Sequence, residues 1–277
     1  MSGSSPPRPL AGRLRRGAYL LPSLFTICNM LLGFYAIILG LRQDFRMAAL
    51  LVFIAAIVDT LDGRIARMTG TESDFGREYD SLADVITFGA TPALLTYLWG
   101  LRLFDRDAWL IPLFYMVCAA TRLARFNVQT KVVDYRFFVG LPVPAAAGTI
   151  CSILFFAPDN HADKSLPPRM QSLIDGDALN LWMQILVATA LLVIGLLMVS
   201  TFRYASFKKF DLRQRWSFRT LVPIAAIILV VYYIPHAFFL AVAVLYTTSA
   251  PLAWLIGKLR GSRPEDGAPP LPESKAS

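Results

Sequence analysis

Apolar residues run through this chain in blocks of about twenty, separated by short polar clusters, and about 20 mostly apolar residues are what a helix needs to cross a bilayer. The blocks predict eight spans: Tyr19–Leu41, Met47–Met68, Ala83–Leu101, Trp109–Phe126, Phe138–Ala157, Leu179–Ser200, Thr220–Ile234 and His236–Gly257. The last two are separated only by Ile234-Pro235-His236, which requires a tight hairpin.

Composition supports this reading. Of 277 residues, 56% are hydrophobic and 17% charged, where soluble domains carry about a quarter charged residues. The expected fold class is therefore all-α, a polytopic membrane helical bundle with about eight transmembrane helices. The Pro/Ser/Gly/Arg stretch before the first span has no small-residue cleavage site after it, so that span is expected to be retained.

The net charge of +8 raises the question of nucleic acid, and the positions of the basic residues answer it. With the N-terminus cytoplasmic, the inner side takes Arg8, Arg13, Arg15, Arg16, Arg64, Arg67, Arg77, Arg122, Arg125, Lys131 and Arg136. It also takes Arg203, Lys208, Lys209, Arg213, Arg215, Arg219, Lys258, Arg260, Arg263 and Lys275. The outer side keeps Arg42, Arg46, Arg102, Arg106, Lys164 and Arg169. That asymmetry follows the positive-inside rule and puts both termini in the cytoplasm. It accounts for the charge with no nucleic acid partner. The basic 203–219 loop, interleaved with Phe207, Phe210, Trp216 and Phe218, suits anionic headgroups.

Cys28, Cys118 and Cys151 all lie in apolar segments outside any CxxC or Cys/His pattern, and read as small buried hydrophobes. His161 and His236 are the only histidines, which leaves little for histidine-based catalysis.

One stretch, residues 58–90, breaks the apolar pattern with Asp59 and Asp62 near the end of the second span and Asp80 and Asp84 at the start of the third. A carboxylate at mid-membrane costs roughly 2.5–3.5 kcal/mol, less near the interface. At 100° per residue, Asp59, Asp62, Gly63, Ala66 and Arg67 share a face of about 140°. Gly76, Asp80 and Asp84 fall within about 80° if the third helix already begins at Gly76. A short loop makes the two helices antiparallel neighbours, so the acidic faces can meet. Hard divalent cations with oxygen ligands relieve such a cluster, and a two-metal site can clamp both ends of a phosphoryl displacement. The competing structural reading is a salt-bridge network with Arg64, Arg67 and Arg77.

The pattern Asp59-x-x-Asp62-Gly63-x-x-Ala66-Arg67, then eight residues, then Gly76-x-x-x-Asp80-x-x-x-Asp84 resembles the CDP-alcohol phosphotransferase signature at every fixed position. The resemblance implies that Asp59, Asp62, Asp80 and Asp84 hold divalent cations, Mg2+ or Mn2+, two per site, with Asp84 also the general base. It implies that Gly63, Arg67 and Ser73 contact the nucleotide diphosphate of the donor. It places Gly76 on the donor side and sets Pro22-Ser23-Leu24-Phe25-Thr26 near the nucleotide, so Ser23 and Thr26 are donor-binding candidates. It also implies a homodimer.

Two further stretches, Thr121-Arg122-Leu123-Ala124-Arg125-Phe126-Asn127 and Gly140-Leu141-Pro142-Val143-Pro144, are similar to the phosphatidylserine synthase branch. That branch implies transfer of the phosphatidyl group from CDP-diacylglycerol to the L-serine hydroxyl at the cytoplasmic face of the cell membrane. The expected organisation is a tail (1–16), a six-helix catalytic core (17–200), a basic loop with two C-terminal helices (201–258) and a second tail (259–277). Arg122 and Arg125 are candidates for the serine carboxylate, which arginine binds bidentately, with Asn127 as an added polar contact. Their alternative is a positive-inside anchor.

Rival readings are an enzyme of the same family with another acceptor, glycerol 3-phosphate or an inositol compound, and an ion-coupled transporter. Transporters show repeats and broken helices at mid-membrane, whereas these acids occupy one hairpin with no second copy. A phospholipase-D-like serine enzyme would need HxKxxxxD, which neither histidine fits.

Overall fold

Helix α1 (Leu20–Leu41) buries Thr26, Asn29, Gly33, Ala36 and Gly40, a three-four spacing that makes one stripe. Every one is small or polar, while Leu24, Ile27, Leu31, Phe34 and Tyr35 stay exposed. Against lipid, the driving force is close backbone approach rather than the hydrophobic effect, and small residues permit that approach. The chain is an all-α membrane bundle, and its computed structural model describes residues 20–69, 73–101, 107–129, 137–156, 177–205 and 229–259.

Helix α2 (Phe45–Thr69) starts where Asp44 Oδ1 accepts from Met47 N at 3.1 Å, an N-terminal cap. Its buried stripe, Phe45, Ala48, Val52 and Ala55, runs on in register to Asp59.

The third predicted span differs from expectation at its start. Helix α3 begins at Asp74 rather than Ala83 and runs to Asp84. A π-helical turn follows at Val85–Ala90, then α4 at Thr91–Trp99, so Asp74–Trp99 forms one 26-residue rod. The early start is set by a cap: Ser73 is extended and its hydroxyl accepts from Gly76 N at 3.0 Å. Charged residues in the first turns conceal this stretch from a hydropathy reading. The rod is tied to α1 by Thr87 Oγ1 donating to Asn29 O and Thr91 Oγ1 to Gly33 O, both at 3.2 Å. A Cβ on Gly33 would sit 2.7 Å from Thr87 Oγ1 and 2.9 Å from Thr87 Cα. Glycine there is a condition of the contact.

Helix α5 is Leu110–Gln129. Its Tyr115, fully buried, donates to Phe88 O at 3.1 Å, satisfying a carbonyl within the π turn. Strand β1 (Phe137–Val139) leads into α6 (Val143–Phe156), which therefore starts later than the predicted Phe138. Helix α7 is Asp177–Val199, strand β2 Arg203–Ala205 and α8 Pro235–Leu259. The strands form an antiparallel ribbon with Phe138 opposite Tyr204, the only strand pair among the described residues. Gly140 explains the abrupt exit from β1. It has φ +79°, and a Cβ there would lie 2.3 Å from Met198 O. Its N–H donates to Phe202 O at 2.8 Å and Leu141 N to Leu197 O at 3.1 Å. The Gly-Leu-Pro stretch thus docks the start of α6 onto the end of α7.

Among the described residues four helices are long and apolar enough to cross a membrane: Leu24–Leu41, Asp74–Trp99, Leu181–Val199 and Ala237–Ile256. Helices α2 and α5, with 25 and 20 residues, are comparably long but carry charged residues toward their ends. Of the predicted seventh span, only its end lies within the described residues, helical at 229–233. The three cysteines are free, Cys118 and Cys151 buried and Cys28 exposed.

Candidate active site

Three carboxylates meet where α2 and the Asp74–Trp99 rod come together. Asp59 reaches in from α2 and Asp80 and Asp84 from α3, one ligand oxygen of each lying within 4.8 Å of the others. The rod's early start is what makes this pairing possible, because Asp80 and Asp84 lie one turn apart on a helix already formed. Asp84 is buried, whereas Asp59 and Asp80 are half-buried. Two like unit charges that close repel by roughly 3 kcal/mol even at an effective dielectric of 20.

The cluster also has the character of a hard-cation site. All its donors are carboxylate oxygens, the ligands such cations take. Asp80 Oδ1 is buried, with no hydrogen-bond partner among the described residues. Of the basic residues on the same hairpin whose side chains are described, Arg77 pairs with Asp74 on its own helix, and Arg64 is exposed.

Asn29 is a member that the sequence reading missed as a site residue. It is fully buried on α1 and its Nδ2 donates to Asp84 Oδ1 at 3.4 Å. Its own Oδ1 has no partner among the described residues. The signal was available: an amide in an apolar span is costly and functional by default. Thr26, one turn earlier, is buried on the same stripe.

On the other flank, α5 carries Arg122, only 8% exposed, within electrostatic reach of Asp84 and Tyr246. Its Nε is buried without a hydrogen-bond partner among the described residues. Arg125 is exposed. Asn127 Nδ2 donates to Ser81 Oγ at 2.9 Å and to Glu78 Oε2 at 3.3 Å, tying α5 to α3. Of the three acceptor candidates, then, Arg122 is the buried one, Arg125 is exposed, and Asn127 is engaged with α3.

The donor-side candidates are less concentrated. Ser73 and Gly76 are engaged with each other at the α3 cap, and a Cβ on Gly76 would lie 3.0 Å from Ser73 Oγ. Gly63 is half-buried on α2. The side chains of Ser23, Asp62 and Arg67 lie outside the described residues, although the backbones of all three are helical.

A membrane bundle that gathers acidic side chains from two adjoining spans, with an amide and a guanidinium beside them, defines an integral membrane enzyme with an oxygen-donor centre. A family model described as CDP-alcohol phosphatidyltransferase matches residues 19–174. The chain belongs to that family. Among its relatives is the CDP-diacylglycerol–serine O-phosphatidyltransferase of Helicobacter pylori (strain ATCC 700392 / 26695), 34% identical over 237 residues, 86% of this chain and 92% of that one. The Mycobacterium bovis protein of the same name is 40% identical over 149 residues, 51% of this chain and 52% of the relative. The archaetidylserine synthase of Methanothermobacter thermautotrophicus is 39% identical over 134 residues, 48% of this chain and 56% of the relative.

Proposed function

We propose that this enzyme transfers the phosphatidyl group of CDP-diacylglycerol to the hydroxyl of L-serine, releasing phosphatidylserine and CMP. The observation that carries the choice of acceptor is Arg122, a buried guanidinium whose Nε has no hydrogen-bond partner among the described residues and which lies within electrostatic reach of Asp84. Serine brings a carboxylate that a guanidinium can hold with two parallel hydrogen bonds. The relatives whose names specify serine support the same acceptor.

The residues divide by role. Asp59, Asp62, Asp80 and Asp84 would hold divalent cations, Mg2+ or Mn2+ and two per site, and bound cations would neutralise the diphosphate and the departing phosphate oxygen. Asp84, oriented by Asn29, takes the proton from the serine hydroxyl as that oxygen attacks the lipid-side phosphorus. The bond from that phosphorus to the CMP oxygen breaks, and CMP leaves with the electron pair. Arg67 offsets charge on the diphosphate, and Gly63 lies under the nucleotide. Ser23, Thr26, Ser73 and Gly76 line the donor side. Arg122 orients serine, with Arg125 and Asn127 nearer the surface.

The enzyme works at the cytoplasmic face of the cell membrane with both termini inside, as a homodimer, and takes its donor sideways from the lipid. The six-helix core of residues 17–200 carries the chemistry.

The test is an acceptor panel. Membranes containing the enzyme receive CDP-diacylglycerol and labelled L-serine, glycerol 3-phosphate or inositol, with and without chelator. Serine-dependent, chelator-sensitive CMP release is expected. Preferential labelling of lipid by another alcohol would overturn serine, and full activity in chelator would overturn the metal assignment.

A further inference from the structure

We propose that Asn127, on α5, is a positioning residue for the acidic cluster: its amide grips α3 at two points and sets the angle from which Asp80 and Asp84 reach toward Asp59. This rests on the reading of that cluster as a cation centre, and it gives Asn127 a task on the metal side rather than at the serine.

Helix α5 turns one face to the rod. Tyr115, Ala119 and Leu123, spaced by four, are buried, and the next position in that series is Asn127. Tyr115 donates to Phe88 O at 3.1 Å, and a Cβ on Gly89 would lie 3.5 Å from the Ala119 Cβ. Asn127 thus continues a rod-facing stripe, half-buried, at a height where the rod is polar. Both hydrogens of its Nδ2 are engaged, one with Ser81 Oγ at 2.9 Å and one with Glu78 Oε2 at 3.3 Å. The Ser81 hydroxyl donates in turn to Arg77 O at 3.0 Å, which leaves its oxygen to accept from the amide. Ser81 and Glu78 are three apart, so they lie one above the other on α3.

Two grips one turn apart fix the rotation of α3 as well as its distance. Asp80 directly precedes Ser81 and Asp84 follows it by three, so both carboxylates turn with the gripped segment. A helix with its side chains has a radius of about 5–6 Å, so a rotation of about 20° carries a carboxylate roughly 2 Å sideways. Hard cations hold oxygen at about 2.0–2.6 Å, and a displacement of that size removes a ligand. The Tyr115 bond lies on the other side of Asp84, at Phe88, so α5 splints the acidic segment from both ends. Packing alone would need no paired donors at 127, since leucine would continue the buried stripe.

Full-length protein in lipid nanodiscs, stripped with chelator, provides the test. Mn2+ binding is read without substrate, from loss of the free ion's paramagnetic resonance signal. Asn127→Ala is expected to weaken that binding by about tenfold, the lower end for losing support around metal ligands. The serine KM, measured at saturating Mn2+, should stay unchanged. Ser81→Ala should reproduce the loss, and the double variant should bind no more weakly than the worse single one, because both remove one contact. Unchanged Mn2+ binding in Asn127→Ala, or losses that add in the double variant, overturn the proposal. A serine KM raised at saturating Mn2+ also overturns it and returns Asn127 to the acceptor. Should Asn127→Ala not fold, Ser81→Ala decides by the same readings. If the unsubstituted protein binds no Mn2+, the cation centre itself fails; if it binds and the variants bind equally well, only the role of Asn127 does.

Discussion

Asn29 on α1 donates to Asp84 on α3 across 55 positions of sequence, from Nδ2 to Oδ1 at 3.4 Å. The contact orients the one carboxylate of the three that is buried. It also links the first span to the acidic cluster.

Removing that link should cost rate more than stability. Asn29→Ala is expected to lower kcat by about 10- to 100-fold, the usual effect of losing a group that orients a metal-binding side chain. Steady-state CMP release and a melting curve on the same preparation check it. Equal loss of folded protein and activity would point to packing alone.

Asp84→Asn keeps shape and removes both charge and basicity. Turnover should fall by at least about 100-fold, the lower end for a positioned general base, in protein that remains folded. Asp80→Asn should instead raise the concentration of Mn2+ needed for half-maximal rate. A titration of activity against metal concentration distinguishes the two.

The mutual repulsion of Asp59, Asp80 and Asp84 gives a stability prediction that needs no substrate. A cation that binds only the folded state raises stability by about 2.7 kcal/mol at 100 times its dissociation constant. Adding Mg2+ or Mn2+ to chelator-treated enzyme should raise its melting temperature, and Asp59→Asn with Asp80→Asn together should shrink the increase. A melting temperature indifferent to metal would count against a shared cation.

Gly33→Ala tests the contact that sets the depth of α1. The new methyl would meet both the side chain and the backbone of Thr87, and overpacking of this kind costs typically 1–3 kcal/mol. Because Asn29 lies one turn away on the same stripe, α1 should retreat and carry the amide off Asp84. The expected signature is a kcat loss larger than the stability loss predicts, read from activity and denaturation of one sample.

The helical bundle and the meeting of Asp59 with Asp80 and Asp84 were legible because they follow from short-range rules: run length for the helices, and helical spacing for the carboxylates. The start of α3 was not, since Ser73 and Asp74 build a capped, charged first turn that hydropathy alone places outside a span. Asn29 was missed as a site residue because its partner is 55 positions away: an amide in an apolar span draws notice, but does not reveal which carboxylate it faces. Asn127 was read toward the acceptor, while Ser81 and Glu78, its partners, belong to another helix. The β1–β2 ribbon was hidden for a related reason: each strand is three residues long and gains its pairing only from the other.

The π turn between Asp84 and Thr91 has a consequence for how this region tolerates change. It fits one extra residue into the helix, so the acidic half and the threonine half are out of rotational phase with an ordinary α-helix. Excising a single residue from Val85–Ala90 would leave a regular, fully bonded rod that still crosses the membrane. The acidic half would nonetheless turn by about 100° relative to α1, and an intact membrane protein would present its carboxylates to the wrong neighbours.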